Sequence, residues 1–268
     1  MDNKLIENIK RLFEQGEITL AIAYEKGTDG RPRPFFCRSA QDADRIVFSN
    51  DFSRNLAVYL TKAELVRGEK VAVAATVSTL RSIYYLSREN QIGQQTFVIL
   101  HLSPAGEYMR FLKTDDIAVY IDHLPAGRAE KDRELLEKLD AMTPGERWAF
   151  WQNEFSRCIK CYACRAACPM CYCTRCIVED NRPQWIDPWP SPLSNMEWQI
   201  SRVMHLAGRC VGCGSCGDAC PEHIPVHLLN RRLLENIEAD FGVTPGTSPR
   251  EGAVLNTFRT EDRENFIV

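Results

Sequence analysis

Two stretches decide how this chain is read: Cys158-Ile-Lys-Cys161-Tyr-Ala-Cys164-Arg-Ala-Ala-Cys168-Pro169 and Cys210-Val-Gly-Cys213-Gly-Ser-Cys216-Gly-Asp-Ala-Cys220-Pro221. In each, four cysteines are separated by two, two and three residues, and proline follows the last. Iron prefers thiolate ligands, and a cubane needs four of them around one cage. Three cysteines at two-residue spacing wrap the chain around one cluster; the fourth, before proline, points away and ligates the other. The pattern predicts two 4Fe–4S clusters, one on Cys158, Cys161, Cys164 and Cys220, the other on Cys210, Cys213, Cys216 and Cys168. Zinc is the alternative, but it is usually held by paired CxxC knuckles or by histidine.

The remaining cysteines sharpen the question. Of the twelve, Cys37 stands alone, residues 38–157 contain none, and the other eleven lie between Cys158 and Cys220. The first residues, Met1-Asp-Asn-Lys-Leu-Ile-Glu, carry no apolar signal region, so reduced thiols in a cytoplasmic protein are expected, with metal or redox chemistry rather than disulfides. Cys171-Tyr-Cys173-Thr-Arg-Cys176 is surplus to the eight ligands. With Cys37 it leaves four thiols, the number a third cluster needs. A third iron–sulfur cluster, a zinc site and unligated cysteines all stay open for the triad. Cys37 reads as a small core residue rather than a ligand.

Composition bounds the rest. The 268 residues are 44% hydrophobic and 26% charged, values of a folded globular chain with material for a sizeable core. A formal net charge of −3 gives no electrostatic case for nucleic acid or an anionic membrane surface. No uncharged apolar run of 18 residues occurs, so direct membrane insertion is not expected.

The expected architecture is α+β: an N-terminal α/β module over residues 1–127, a helical two-cluster ferredoxin-like domain over 128–241, and an extended tail over 242–268. Residues 3–15 have helical periodicity in Leu5, Ile6, Ile9, Leu12 and Phe13. Strands are expected over 19–24 and 34–37, and a helix over 54–65. Residues 70–76, 78–88 and 96–102 read as strand, helix and strand, a βαβ unit with parallel pairing. No Gly-rich phosphate loop accompanies it. Beyond the Pro125-Ala-Gly127 turn, a charged helix is expected over 129–142. Thr143-Pro-Gly-Glu146 is a capping box opening a helix with Trp148, Trp151 and Phe155 on one face. All five tryptophans (148, 151, 185, 189 and 198) read as core. The 41 residues between Cys168 and Cys210 contain a further helix. Ser194 and Glu197 read as its capping box, followed by Trp198, Ile200, Val203, Met204 and Leu206, with Gly208 as the stop. A last helix follows Pro225.

The run from Trp148 through Cys176, with Asn181-Arg-Pro-Gln-Trp-Ile186 and His205-Leu-Ala-Gly-Arg-Cys210, resembles a known family. These are the dicluster iron–sulfur subunits related to the β subunits of deazaflavin-reducing hydrogenases and formate dehydrogenases. The β subunits of sulfhydrogenases and one subunit of anaerobic sulfite reductase are more distant relatives. The resemblance covers residues 143–240 and is weaker before them, where Asn55-Leu-Ala-Val-Tyr-Leu60 and Arg88-Glu-Asn-Gln-Ile92 fit. Relatives often carry a Gly-Cys pair and a further Cys after two of the N-terminal strands. Here those places read Ala75-Thr-Val-Ser78 and Leu102-Ser-Pro-Ala105.

The resemblance implies an electron-transfer subunit of a hetero-oligomeric redox complex in anaerobic metabolism. The partner would be a heterodisulfide-reductase-like flavoprotein, a formate dehydrogenase, a hydrogenase or a similar catalytic subunit. A second reading is an enzyme whose N-terminal module binds flavin and reduces a deazaflavin or nicotinamide cofactor. A third keeps the clusters for structure only. The five histidines (101, 123, 205, 223 and 227) form no catalytic set; His223 and His227 read as a solvated helix face.

Overall fold

The computed structural model describes residues 3–92, 97–124, 132–180, 182–242, 244 and 246–247. Thr96 of the expected strand, the turn at 125–127, the start of the charged helix at 129–131, Asn181, and nearly all of the expected tail lie outside them.

The N-terminal module is a mixed sheet with helices laid on it. Its elements are α1 (Asn3–Glu14), β1 (Leu20–Lys26), β2 (Pro32–Cys37), β3 (Ile46–Val47), α2 (Ala63–Val66), β4 (Val71–Ala75), α3 (Val77–Arg88), β5 (Val98–Leu102), β6 (Tyr108–Phe111) and α4 (Thr114–Ile121). The strand order is β2-β1-β4-β5-β6. β1 and β4 pair in parallel from Leu20 opposite Val71, and β4 and β5 from Ala72 opposite Val98. β1 and β2 form an antiparallel hairpin, and β5 and β6 are antiparallel. On the free side of β1, β4 takes the first half and β3 the second, at Tyr24 opposite Val47.

The expected βαβ unit is β4-α3-β5. Both strands are buried at every position because the sheet is covered on both faces. α1 lays Leu5, Ile9 and Leu12 on this core. The helix expected over 54–65 is instead a tight turn at Leu56–Tyr59, capped by the Asn55 side chain, followed by the single turn α2. The Asn55 side chain accepts from the Ala57 N–H at 3.1 Å, which ends the chain's extended approach before a regular helix can start.

The C-terminal half is helical: α5 (Arg133–Ala141), α6 (Pro144–Ser156), α7 (Ala163–Ala166), α8 (Pro192–His205), α9 (Ser215–Asp218) and α10 (Val226–Phe241). The Thr143–Glu146 capping box is present, with proline at the helix start. α8 begins before the expected cap. Ser191 is its N-cap, accepting from the Ser194 N–H at 3.3 Å, and Pro192 occupies the first turn. Ser194 is thereby free to hydrogen-bond the Asp187 carbonyl at 3.0 Å.

Two side-chain expectations are corrected. Trp151 and Trp198 are buried, but Trp148, Trp185 and Trp189 are half or more exposed. Trp148 and Trp185 border an open groove between α6 and α8 with Leu193 and Ile200. His223 lies in a left-handed turn before α10, and His227 is no solvated residue, because its Nε2 meets Asp132 Oδ1 at 3.2 Å. Cys37 is fully buried at the end of β2, its thiol donating to the Ser39 carbonyl at 3.2 Å, as a core residue would. Among the described residues, no helix is long and apolar enough to cross a membrane.

His101 on β5 is a test of this core. It is fully buried, with Nδ1 2.7 Å from the Ala75 carbonyl and Nε2 3.1 Å from the Tyr120 hydroxyl. A carbonyl only accepts, so Nδ1 carries the proton and Nε2 accepts from Tyr120. Burial holds the ring below its ordinary pKa; the Ala75 bond pulls weakly the other way. The unfolded chain therefore takes up the proton first. The ring's contribution to stability is intact above about pH 6.5 and is lost as the pH falls below it. Thermal midpoints of the full chain should fall more steeply between about pH 7.5 and 5.5 in the parent than in His101→Gln. Equal slopes would show that His101 is not the titrating group.

Candidate metal centre

Both cysteine loops follow the same backbone course. The second and fourth residues after the first cysteine are left-handed in each: Lys160 (φ 51°) and Tyr162 (φ 57°) in the first, Gly212 (φ 71°) and Gly214 (φ 78°) in the second. Alternation of this kind turns successive backbone N–H groups inward, as in the anion-binding nests of iron–sulfur loops. The Gly212 N–H points at Cys210 Sγ at 3.4 Å. Each loop ends in a one-turn helix, α7 or α9, carrying the third cysteine, and the two turns pack together.

That packing exchanges the fourth cysteines. Cys158, Cys161, Cys164 and Cys220 line one small cavity, closed by Tyr162, Trp198, Ile224 and Val226. Cys168 faces the other loop, within electrostatic reach of Cys210, Cys213 and Cys216. Cys164, Cys216 and Val226 form a small buried cluster where the two foursomes meet. Among the eight thiols, Cys161 is the exposed one.

Burial pushes the Cys164 thiol up to about 11 and the Cys213 thiol up to about 12, and it raises Cys158, Cys210 and Cys216 as well. Cys168 is shifted the other way, first by the thiol of Cys171 beside it. Among the described residues, no three His, Cys, Asp or Glu side chains converge closely enough for a single metal ion. The donor set fits a wider, polynuclear group: all-thiolate, softened by nests, with the thiols spread around a cavity.

The surplus triad is not gathered. Cys171 turns to Cys168, Cys173 is exposed, and Cys176 packs beside Val178, Ile186 and Trp198. Cys37 has Asp42 and Arg45 as its charged neighbours.

The inner side of α8 mixes apolar and polar residues, which corrects part of the expected stripe. Trp198, Val203 and Leu206 are buried as expected, Ile200 and Met204 are exposed, and Asn195, Gln199 and Arg202 are buried as well. Asn195 Nδ2 donates to the carbonyls of Phe155 and Cys158 at 2.9 and 2.8 Å. Gln199 Nε2 lies 3.7 Å from Cys158 Sγ, and from α10 Asn230 Nδ2 lies 3.8 Å from Cys216 Sγ. Arg202 Nη2 donates to the Cys164 carbonyl at 3.0 Å. Burial alone would lower the Arg202 pKa, but Cys216, Cys168, Cys171 and Cys164 more than offset it and the guanidinium stays charged. Lys160, 5% exposed, reaches from the first loop to the Asp187 carbonyl and the Ser194 hydroxyl. The legible signal was the spacing of Asn195, Gln199 and Arg202 at i, i+4 and i+7, which shares one helical face.

Residues 154–224 match the 4Fe-4S dicluster domain family. The chain carries a 4Fe-4S dicluster domain. It is 35% identical over 96 residues to the "F420-dependent formate dehydrogenase subunit beta" of Methanocaldococcus jannaschii, covering 36% of this chain and 25% of that protein. It is also 35% identical over 96 residues to the "F420-dependent formate dehydrogenase 1 subunit beta" of Methanococcus maripaludis, covering 36% of this chain and 24% of that one. The matched segment thus spans about a quarter of these curated relatives, and over it the chain is related to such β subunits.

The dicluster domain is fastened to the N-terminal module beside its second loop. Glu89, at the end of α3, accepts from Arg209 Nε and Nη2 at 3.1 and 3.0 Å, just before Cys210, and from the Tyr172 hydroxyl. The Arg209 guanidinium lies 4.6 Å from the centre of the Tyr172 ring. Asn55 places its N–H on Ser215 Oγ at 3.3 Å and its side chain beside Cys213. Arg54 pairs with Asp218 at 2.9 Å. Replacing Glu89 by Gln removes the charge from a mostly buried fork and should lower unfolding stability by about 1–3 kcal/mol. A thermal melt checks this, and an unchanged melt would mean that the fork contributes nothing to the junction.

Proposed function

We propose that the chain is an iron–sulfur electron-transfer subunit of a multi-subunit oxidoreductase. In this reading Cys158, Cys161, Cys164 and Cys220 hold one 4Fe–4S cluster, and Cys210, Cys213, Cys216 and Cys168 hold the other. The observation that carries it is the exchange of the fourth thiol between the two loops, which sets two all-thiolate foursomes side by side at Cys164 and Cys216. When bound, such clusters accept and give single electrons without proton or group transfer.

The protein's own part is positioning and shielding. The nests and amides orient the thiolates, Trp198 and Tyr162 close the first cavity, and the edge at Cys161 and Ile159 is open to solvent. That edge suits exchange with a partner, and the junction with the N-terminal module covers the second foursome. The names of the relatives support a partner of the formate dehydrogenase kind. The turn from β4 to α3 is capped from within: Thr76 Oγ1 lies 3.1 Å from Ser78 Oγ and accepts from the Thr79 N–H at 3.2 Å.

Iron, sulfide, zinc and flavin per chain on anaerobically prepared protein test the reading. About eight irons with matching sulfide are expected. Cys220→Ala should remove the first cluster although it alters the second motif, and Cys168→Ala the second cluster although it alters the first. Each variant should lose about half the iron. A Cys220→Ala protein that kept the full iron content would refute the exchange. One flavin per chain would move the assignment to the flavoenzyme.

A further inference from the structure

The dicluster reading leaves one buried side chain unexplained. Arg202 is 2% exposed, yet among the described residues no carboxylate pairs with it. Its guanidinium is bonded to the Cys164 carbonyl through Nη2 and reaches the Cys216 thiol, while Nε and Nη1 meet no nitrogen or oxygen acceptor. An unpaired buried cation is strongly unfavourable, so a fold that keeps one must answer it with something it does not otherwise contain. The groups around Arg202 are sulfurs of both foursomes, Cys164 of the first and Cys216 and Cys168 of the second. It projects from the buried stripe of α8 to the place where those foursomes meet.

We propose that Arg202 is a shared positive charge between the two clusters, which raises the reduction potentials of both. The inference rests on the two-cluster reading. A ligated cubane with four thiolates is an anion, and taking up one electron adds one more negative charge. A fixed cation between two such groups favours the reduced form of each, with the interaction strengthened by the absence of water. Because it lies against sulfurs of both foursomes, one charge acts on both. Arginine suits the role because its charge does not titrate and its spare N–H donors can meet sulfur. Lys160 and Arg165 are the other cations near the thiols, but Lys160 is bound to Asp187 and Ser194, and Arg165 to Glu179 at 2.6 Å.

The test is an EPR-monitored redox titration of the full chain and of Arg202→Gln and Arg202→Lys, each with iron and sulfide counted. Arg202→Gln removes the charge and keeps an amide donor; it should lower the midpoint potentials of both clusters at unchanged iron. Arg202→Lys keeps the charge and should stay nearer the parent. Loss of iron in Arg202→Gln with retention in Arg202→Lys would also support the proposal, since the charge would then be what lets two anions share the site. Parent-like potentials in a fully loaded Arg202→Gln protein would overturn it. Iron loss in both variants would make the side chain a brace for the Cys164 carbonyl and would overturn it too. A parent without about eight irons and without cluster signals would refute the two-cluster reading instead, leaving Arg202 aside.

Discussion

Eight sulfurs gathered into two adjoining foursomes set the constraint that the C-terminal half obeys. Thiolates in such a place are anions withdrawn from water, and the surrounding protein must supply the compensation that solvent would have given. It does so in layers. The left-handed loops turn N–H groups inward, with the Gly212 N–H on Cys210 as the clearest case. Gln199 and Asn230 bring amide donors to Cys158 and Cys216. Lys160 and Arg202 bring charge. The helix α8 carries two of these side chains, Gln199 and Arg202, which is why polar residues share its buried side with Trp198 and Val203.

The N-terminal module depends on the same constraint. Met170 and Leu206 of the dicluster domain are buried in the core of its sheet, and the polar contacts between the two concentrate at the second loop: Glu89 with Arg209 and Tyr172, Asn55 with Ser215, Arg54 with Asp218. Asn55 links the two jobs. Its side chain caps the turn at Leu56, donates to Ser82 at 2.8 Å, and reaches Cys213. The module thereby forms one wall of the second foursome. The first foursome is enclosed by helices of its own domain and keeps the exposed thiol, Cys161. This asymmetry gives the pair of sites an inner and an outer member.

Much of this was legible because the signals were local. The two cysteine motifs, the Thr143 cap and the hydrophobic runs of β4 and β5 each depend on residues within a few positions of one another. β6 and α4 were missed because their four and eight residues are too short for periodicity to speak, and their existence depends on β5 needing a partner. The helix over 54–65 was lost to Asn55, whose side chain competes for the backbone. The tryptophans mislead because bulk does not fix burial. Trp151 stacks on Phe155 inside the domain at 5.3 Å, whereas Trp148, three residues earlier on the same helix, faces the groove. Only the partner helix decides between them. The spread of Cys171, Cys173 and Cys176 could not be read from spacing, since the turns after Pro169 send each thiol to a different neighbour.

The difference between the two loops is itself informative, because identical backbone turns are built from opposite residues. Left-handed backbone is nearly free for glycine but costs other residues about 1 kcal/mol or more. The second loop uses glycine at both left-handed positions, Gly212 and Gly214, and so takes the turn without strain; the nearest side chains there, Leu234 and Ser53, would be at ordinary contact distance from a Cβ. In the first loop Lys160 and Tyr162 accept the strain. There the side chains have work that glycine could not do: Lys160 carries a buried charge to the start of α8, and Tyr162 packs edge-on against Trp198 with ring centres 5.3 Å apart. One loop takes the turn without strain on glycine and the other accepts strain to supply its own lid and counter-charge. A duplicated motif has thus been fitted to two environments, the inner one walled by the rest of the protein and the outer one open at Cys161.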